Sequence, residues 1–285
     1  MTNSSPHPPS SSPIPGSIAF IGGGNMARSL IGSLIARGEH PESIRVAEPV
    51  EVVRESLARD FGVPVFATAQ EAVDGAGLWM LAVKPQVMRT LCEGMAATAQ
   101  SSRPLVVSIA AGITTPQMQR WLGGDAAVIR AMPNTPALLG AGVTGLFATA
   151  QVDAAGRQRA EALLASAGRT VWIDDEALMD AVTAVSGSGP AYVFLLAEAM
   201  EEAAKAEGLS DSAARMLVLQ TVLGAARMLT ESDEAPAELR KRVTSPNGTT
   251  QAAIETFQEG GFARLVGKAI HAASERGKAL SAAND

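Results

Sequence analysis

Cysteine and histidine are nearly missing from this chain of 285 residues. Cys92 is the only cysteine, so a single chain can build neither a disulfide nor a thiolate metal site, and we expect a core residue. The three histidines, His7, His40 and His271, lack the spacing of metal ligands, and they form no recognisable catalytic pair with a carboxylate. We therefore predict no metal site, and the cysteine usage fits a reducing cytoplasm.

The chain also lacks an excess of positive charge and a long unbroken apolar run. The net charge of −6 comes without a basic stripe, which argues against nucleic acid as a partner. The longest uncharged run, residues 131–152, is interrupted by prolines and glycines, so no membrane span is predicted. Residues 1–16 are rich in Ser and Pro, without the cationic start or apolar centre of a signal peptide, and predict a disordered tail.

A glycine-rich turn follows the first apolar run of the chain. Gly22, Gly24 and Ala27 match the G-x-G-x-x-G/A pattern of dinucleotide-binding proteins. The first glycine permits a tight turn, the second lets a pyrophosphate approach the backbone, and the small third residue lets helix and strand pack closely. Asn25 and Met26 begin the predicted helix, whose first amides would bind the phosphates.

Residues 17–174 alternate short apolar runs with helical stretches, which is the pattern of an α/β, Rossmann-type, doubly wound parallel sheet. The predicted strands are 18–21, 44–47, 63–66, 78–83, 105–109, 127–130, 143–148 and 170–172. The predicted helices are 26–37, 50–61, 86–97, 115–122 and 154–167. Glu48 ends the second strand about 20 positions after the glycine turn, where a ribose hydroxyl is usually bound.

Residues 175–285 predict an all-helical second domain, because they are rich in helix formers and almost free of β-branched runs. The predicted helices are 176–185, 190–207, 211–230, 236–243, 249–258 and 262–280. Two of these helices, 190–207 and 211–230, are apolar on more than one face. A helix that is hydrophobic all round must be buried. We therefore expect a second subunit to cover part of this domain.

Two turns at predicted strand ends are candidate cofactor contacts. Val83, Lys84 and Pro85 follow the fourth strand, and Ala110 and Gly112 follow the fifth. Ligands of open α/β sheets bind outside the carboxyl ends of the strands, which favours a functional reading over a plain surface turn.

The turn at residues 245–250 joins two predicted helices. Its Pro, Asn and Gly would deliver backbone N–H groups and two hydroxyls at a helix start, an arrangement that binds carboxylates. Taken alone, this turn is more often structural than functional, and the same holds for the small-residue cluster at 186–190.

Six segments together resemble the pyrroline-5-carboxylate reductase family. They are residues 20–27, 82–86, 108–112, 130–136, 180–192 and 243–250, and the last two are specific to that family. The resemblance runs from about residue 17 to residue 280. It implies reduction of 1-pyrroline-5-carboxylate to L-proline, the final step of proline synthesis, with NADPH or NADH as cofactor. It also implies a helical domain that interlocks two subunits, with the active site between the domains and across the dimer.

The resemblance assigns roles to individual residues. The Gly248 and Thr249 amides would hold the substrate carboxylate, in the turn that begins at Ser245. The Thr250 hydroxyl would bond the ring nitrogen as the catalytic contact, and Glu176 would approach the substrate. The chemistry needs positioning and a hydrogen bond to nitrogen, and no metal or nucleophile.

The chain departs from the family at two positions. Ala69 stands where many members carry an Asn that contacts the cofactor ribose. Glu48 stands where many members have small or polar residues that accept the 2′-phosphate of NADPH, and a carboxylate there suits the free diol of NADH. Arg45 and Arg54 are close in sequence. We expect both cofactors to be accepted.

Two other functions remain open from the residues alone. A β-hydroxyacid dehydrogenase would need a lysine one or two turns into the helix after Gly189, but the first lysine there is Lys205, some four turns along. A nucleotide-binding sensor without turnover is disfavoured by the intact glycine turn and the intact Thr249–Thr250 pair.

Overall fold

The computed structural model describes Ile14 and residues 16–284. The predicted disordered tail therefore lies outside the described residues except for Ile14 and Gly16. The described residues form two compact units, which we call the sheet unit and the helical unit. The sheet unit runs to Gly187 and also contains residues 273–284, whereas the helical unit is Ser188–Ala272. The domain boundary predicted after residue 174 stays a prediction beside this division.

Eight strands form one sheet in the order β3-β2-β1-β4-β5-β6-β7-β8. They are β1 (Ile18–Ile21), β2 (Ile44–Ala47), β3 (Val65–Phe66), β4 (Leu78–Leu81), β5 (Leu105–Ser108), β6 (Ala127–Met132), β7 (Gly142–Ala148) and β8 (Gly168–Trp172). Strands β1 to β6 pair in parallel, which confirms the predicted Rossmann-type sheet. All eight predicted strands are present.

The sheet differs from the prediction in direction at one edge. β7 pairs antiparallel with β6, and β8 runs parallel to β7. The link from Met132 to Gly142 contains only a 3₁₀ turn at Thr135–Leu139. A parallel neighbour needs a crossover connection of about a dozen residues or more, so this short link forces the reversal.

Helices cover both faces of the sheet. The helices of this part are α1 (Asn25–Ala36), α2 (Glu51–Phe61), α3 (Ala69–Val73), α4 (Pro85–Ser102), α5 (Thr115–Trp121) and α6 (Ala154–Leu164). On β1, Ile18 and Phe20 belong to one apolar core, and Ala19 and Ile21 to the other. Because both faces are buried, β1 reads as a continuous apolar run rather than an alternating one.

The sequence reading missed the short helix α3. The Thr68 hydroxyl caps it by accepting from the Glu71 amide, and the Glu71 carboxylate completes a capping box by accepting from the Thr68 amide. The spacing Thr-x-x-Glu is a known helix-start signal, so the helix could have been found from the sequence.

The segment from Glu176 to Gly187 is not the single helix predicted over 176–185. It consists of a 3₁₀ turn at Glu176–Leu178, α7 at Met179–Val182 and a π-helical turn at Thr183–Gly187. The helical unit then contains α8 (Gly189–Ala206), α9 (Asp211–Glu231), α10 (Pro236–Arg242), α11 (Thr249–Glu259) and most of α12 (Phe262–Ala283). No helix in the described part of the chain has the length and apolar character needed to cross a bilayer.

Large apolar side chains are exposed on α8 and α9. Phe194 is 67% and Leu195 is 65% exposed on α8, and Met216 is 71% exposed on α9. Contiguous exposed apolar surface of this kind marks an interaction site. This agrees with the prediction that another subunit covers the helical unit.

Candidate active site

The glycine turn after β1 can only be built with glycine at its first position. Gly22 has φ +102°, and a Cβ atom there would lie 2.6 Å from the carbonyl oxygen of Ala82. The Gly22 amide donates to the carbonyl of Ala47 at 2.9 Å, and the Ala82 amide donates to that of Ile21 at 2.8 Å. The turn is therefore fixed against the ends of both neighbouring strands.

The second glycine of the pattern faces open space. A Cβ on Gly24 would meet no atom within 4 Å, although Gly24 begins α1 as its N-cap residue. No side chain caps α1, and its first turn, which contains Asn25, Met26 and Ala27, holds no acidic residue. The first amides of α1 are thus suited to a phosphate, which the helix dipole also favours.

A cavity of about 780 Å³ opens beside this turn, within the sheet unit. Five predicted cofactor residues line it, namely Gly22, Gly24, Glu48, Val83 and Lys84. It lies at the carboxyl ends of β1, β2 and β4, which is where dinucleotides bind in sheets of this order. Its volume and position fit a dinucleotide.

The Glu48 carboxylate is held at the edge of the cavity by two backbone amides. The Gly23 amide donates to Glu48 Oε2 at 2.9 Å, and the Val50 amide donates to Oε1 at 3.0 Å. Glu48 thus connects the glycine turn to the start of α2. Gly23 was not among the predicted site residues, and only the paired donor and acceptor in the fold reveal its role.

The two arginines near Glu48 in sequence are bound to backbone carbonyls. Arg45 donates to Ala72 O at 2.7 Å and Glu71 O at 2.6 Å, and its guanidinium lies 4.4 Å from the centre of the Phe66 ring. Arg54 Nη1 donates to Glu48 O at 2.8 Å and Pro49 O at 3.2 Å. Neither arginine is among the residues that line the cavity.

Several predicted cofactor residues lie outside the cavity lining. Asn25, Met26 and Ala27 belong to the first turn of α1, and Pro85 is the first residue of α4. Asn25 and Pro85 lie next in sequence to residues that do line it, and Met26 and Ala27 follow Asn25.

Ala110 and Gly112 contact a different part of the chain. The Gly112 carbonyl accepts a hydrogen bond from Asn284 Nδ2 at 3.0 Å, and a Cβ on Gly112 would lie 3.2 Å from Leu280 Cβ. Ala110 is buried in the core under α4 and α5. Their role as cofactor contacts stays a prediction.

Three polar residues of the cavity were not predicted as site residues. They are Gln70, Gln86 and Thr90. Gln86 and Thr90 are four residues apart on α4, so they share one face of that helix. The spacing of four residues between Gln86 and Thr90, just after the Lys84 turn, was the signal from which these two could have been predicted.

Glu176 belongs to a partly buried network at the end of the sheet. Its carboxylate accepts hydrogen bonds from the Thr115 amide at 2.7 Å and the Thr115 hydroxyl at 2.6 Å. Arg130, whose side chain is only 4% exposed, pairs with Glu176 at 3.4 Å and with Asp180 at 3.1 Å. This carboxylate is engaged by protein groups, and its contact with substrate stays a prediction.

The turn at residues 245–250 precedes α11 in the helical unit. The Gly248 amide donates to Ser245 O at 3.0 Å, and Asn247 takes the left-handed conformation with φ +59°. Gly248 is the N-cap of α11, with no side-chain cap and no acidic residue in the first turn. Thr249 and Thr250 form that first turn, so the predicted carboxylate-binding residues are brought together at an uncapped helix start.

A Rossmann-type sheet with a dinucleotide-sized cavity at its glycine turn, followed by helices with exposed apolar faces, defines the class of NAD(P)-dependent oxidoreductases. The family model described as "Pyrroline-5-carboxylate reductase dimerisation" matches residues 176–280, and the model "NADP oxidoreductase coenzyme F420-dependent" matches residues 17–112. A pyrroline-5-carboxylate reductase of Pseudomonas aeruginosa is 52% identical over 264 residues, covering 93% of this chain and 96% of the relative. The chain belongs to the pyrroline-5-carboxylate reductase family.

Solved structures agree with this assignment. A pyrroline-5-carboxylate reductase of Coxiella burnetii has a TM-score of 0.90 at 41% identity, and covers 93% of this chain and 98% of that one. A Plasmodium falciparum pyrroline carboxylate reductase with NADP bound has a TM-score of 0.82 at 26% identity, with 95% and 100% coverage. The resemblance seen in the six sequence segments is confirmed.

Proposed function

We propose that this protein reduces 1-pyrroline-5-carboxylate to L-proline by hydride transfer from NAD(P)H to the C=N carbon, the final step of proline biosynthesis. The observation that carries the proposal is family membership over 93% of the chain, at 52% identity to a pyrroline-5-carboxylate reductase. The two family models match residues 17–112 and 176–280, which include the glycine turn and the turn before α11, and so the residues proposed for cofactor and for substrate.

The cofactor residues belong to the sheet unit. Gly22, Gly24 and the first turn of α1, with Asn25, Met26 and Ala27, would hold the pyrophosphate, and Glu48 the adenosine ribose. Further along the dinucleotide, the proposed contacts are Val83, Lys84, Pro85, Ala110 and Gly112. The nicotinamide, when bound, supplies the hydride. The chain's own part is to place it, since a correct approach of the reacting atoms accounts for much of the rate in such reactions.

The substrate residues proposed at the start of α11 are Ser245, Gly248, Thr249 and Thr250. The amides of Gly248 and Thr249 would bind the substrate carboxylate, because the start of a helix without a side-chain cap offers N–H donors and a favourable dipole. The Gly248 amide, which donates to Ser245 O at 3.0 Å, would then be shared between that carbonyl and the carboxylate. The Thr250 hydroxyl would bond the ring nitrogen. The Glu176 carboxylate, which pairs with Arg130, would approach the substrate.

Proton placement at the ring nitrogen is the chemical step left to the protein. A protonated imine has a more electrophilic carbon than a neutral one, so a hydrogen bond that favours the protonated nitrogen speeds hydride acceptance. The Thr250 oxygen can accept a hydrogen bond from that N–H.

The activity is tested by following cofactor absorbance at 340 nm with 1-pyrroline-5-carboxylate and either NADH or NADPH. Thr250→Val should lower kcat by about 10²-fold, since one positioned hydrogen bond in a transition state contributes roughly this much. Thr256→Val is the matched control, because Thr256 lies on the same helix, is exposed, and bonds only its own helix carbonyl at Ala252. Unchanged kcat in Thr250→Val removes Thr250 from its role, and no oxidation of either cofactor removes the proposed function.

We further propose that the helical unit forms a homodimer, which can build a higher assembly of dimers, and that the enzyme works in the cytoplasm. The exposed apolar side chains of α8 and α9 support the first point, and the single cysteine supports the second. Sedimentation and cell fractionation test them.

The dehydrogenase alternative finds no support in the long helix α8. Lys205, its lysine, lies near the C-terminal end and pairs with Glu202 at 2.5 Å. This hydrogen bond raises the pKa of Lys205, so the amine stays protonated and is a poor general base.

A further inference from the structure

The carboxyl end of β2 decides which cofactor the cavity prefers. We propose that Glu48 makes this enzyme prefer NADH to NADPH. The inference rests on the proposed function only in that the cavity holds a nicotinamide dinucleotide. Family membership leaves the choice between the two cofactors open, so the inference depends on the geometry around Glu48.

The Glu48 carboxylate is fixed in position. One of its oxygens accepts from the Gly23 amide at 2.9 Å and the other from the Val50 amide at 3.0 Å. Rotation away from the cavity would leave both amides without these acceptors, and the loss would be costly at Gly23, which is buried. The approach to the turn is also close, since a Cβ on Gly23 would lie 3.3 Å from Glu48 Oε2.

The fixed carboxylate suits a ribose diol and opposes a phosphate. A carboxylate oxygen has lone pairs for more than one donor, so each oxygen can still accept from a 2′- or 3′-hydroxyl. In this sheet order, the acidic residue at the end of β2 lies at the adenosine ribose. A 2′-phosphate would bring a charge of about −1.5 to −2 to the same place.

The nearby cations do not offset this charge. Arg45 is held at the end of α3 by two carbonyls and the Phe66 ring. Arg54 is turned onto the carbonyls of Glu48 and Pro49. Among the described residues, Lys84 is the one Lys or Arg that lines the cavity, and it follows β4, which is separated from β2 by β1. The positive charge of Lys84 therefore lies at the end of β4, whereas the adenosine ribose would lie at the end of β2.

Equilibrium binding without substrate tests the inference. Titration calorimetry of the full chain should give a Kd for NADH about tenfold lower than that for NADPH. Glu48→Gln keeps the side-chain shape and one acceptor oxygen. It should lower the Kd for NADPH by about tenfold and raise the Kd for NADH a few fold. Glu48→Ser, which removes the group altogether, should shift the ratio in the same direction.

Glu51→Gln is the matched control. Glu51 is exposed in the first turn of α2 and does not line the cavity, so its replacement removes the same charge nearby without touching the proposed ribose site. The ratio of the two Kd values should not change in this variant. An equal shift in Glu51→Gln would assign the preference to general charge and overturn the role of Glu48.

Arg54→Gln separates the opposite possibility. If the Arg54 guanidinium turned to bind a 2′-phosphate, this variant would raise the Kd for NADPH alone, and that result would overturn the proposal. Wild-type Kd values that are equal, or lower for NADPH, overturn it as well. We expect Arg54→Gln to leave the ratio of the two Kd values within twofold.

Turnover distinguishes this inference from the proposed function. Equal kcat/KM with the two cofactors, with 1-pyrroline-5-carboxylate reduced, would overturn the preference and leave the function standing. Preferred binding of NADH without any reduction would leave the preference and remove the function. Failure to bind either dinucleotide would overturn both.

Discussion

At the scale of single residues, the two glycines of the turn have different duties. Gly22 is required by the backbone, since its φ is +102° and a side chain would meet the Ala82 carbonyl. Gly24 has an ordinary backbone conformation, with φ −68°, and open space where a Cβ would be. One glycine serves the fold and the other leaves room for a ligand.

Replacement by alanine should therefore affect stability at one glycine and ligand binding at the other. Gly22→Ala should lower the free energy of unfolding by about 2 kcal/mol or more, because it adds backbone strain and a steric clash. Gly24→Ala should leave the unfolding midpoint almost unchanged and weaken NADH binding by about tenfold, because its methyl group enters the ligand space. Denaturant unfolding and dinucleotide titration of both variants check this. A stable Gly22→Ala protein, or a Gly24→Ala protein with normal affinity, contradicts the assignment.

Cys92 illustrates how burial suppresses reactivity. It lies on α4 and is fully buried in the core, as the sequence predicted for the lone cysteine, and burial raises the pKa of its thiol to about 12. The thiolate is the reactive form, so the folded protein should not react with a disulfide-exchange reagent at pH 8, whereas the unfolded protein should react at once. Absorbance of the released thiolate measures this. Fast labelling of the folded chain would contradict it.

The raised pKa of the Cys92 thiol also makes the stability of the folded protein depend on pH. Between about pH 9 and 12 the thiol is protonated when folded and ionised when unfolded. The unfolded state then binds fewer protons, so this contribution to stability is complete below pH 9 and is lost as the pH rises. The stability advantage of wild type over Cys92→Ala should therefore shrink above pH 9.

At the scale of elements, a buried arginine joins β6 to the segment that follows β8. Arg130 pairs with Glu176 on the 3₁₀ turn and Asp180 on α7, whose side chains are only 17% and 11% exposed. One residue of β6 thereby fixes two short elements that have little helical length of their own.

Arg130→Met should lower the free energy of unfolding by about 3–5 kcal/mol, because it leaves two carboxylates with their buried partner removed. Arg130→Lys should recover only part of this loss, since an ammonium cannot reproduce the planar fork of the guanidinium. Arg89→Met is the control: its pair with Glu93 is 60% and 52% exposed and should contribute less than about 1 kcal/mol. Urea unfolding compares the variants, and equal losses for Arg130→Met and Arg89→Met would contradict the prediction.

Elements that depend on local pattern were predictable, and those that depend on distant contacts were not. All the strands were found, because apolar runs such as Leu78–Leu81 are buried on both faces. The direction of β7 was missed, since periodicity does not encode pairing direction. At the site, spacing alone predicted the glycine turn and Glu48 as cofactor contacts, and both line the cavity. The contact of Gly112 with Leu280 joins residues 168 positions apart, which no local pattern could reveal.

At the scale of the whole molecule, the helical unit has more apolar surface than its own chain buries. Phe194 and Leu195 on α8, and Met216 and Leu223 on α9, are all more than half exposed. Residues 216 and 223 are seven positions apart, so they lie on one side of α9, two turns from each other. Burial of such side chains stabilises by about 1.5–3 kcal/mol each, and this supports association through this surface.

A charge on that surface should break the assembly. Met216→Glu and Leu223→Glu should each raise the dimer dissociation constant by at least about tenfold, because a carboxylate would have to be buried without a partner. Sedimentation velocity over a concentration series measures the shift. Gln158→Glu on α6 adds the same charge at an exposed position of the sheet unit and should sediment like wild type. A wild-type chain that stays monomeric at every concentration would contradict the dimer, because the apolar faces of α8 and α9 would then be stable in water without a partner.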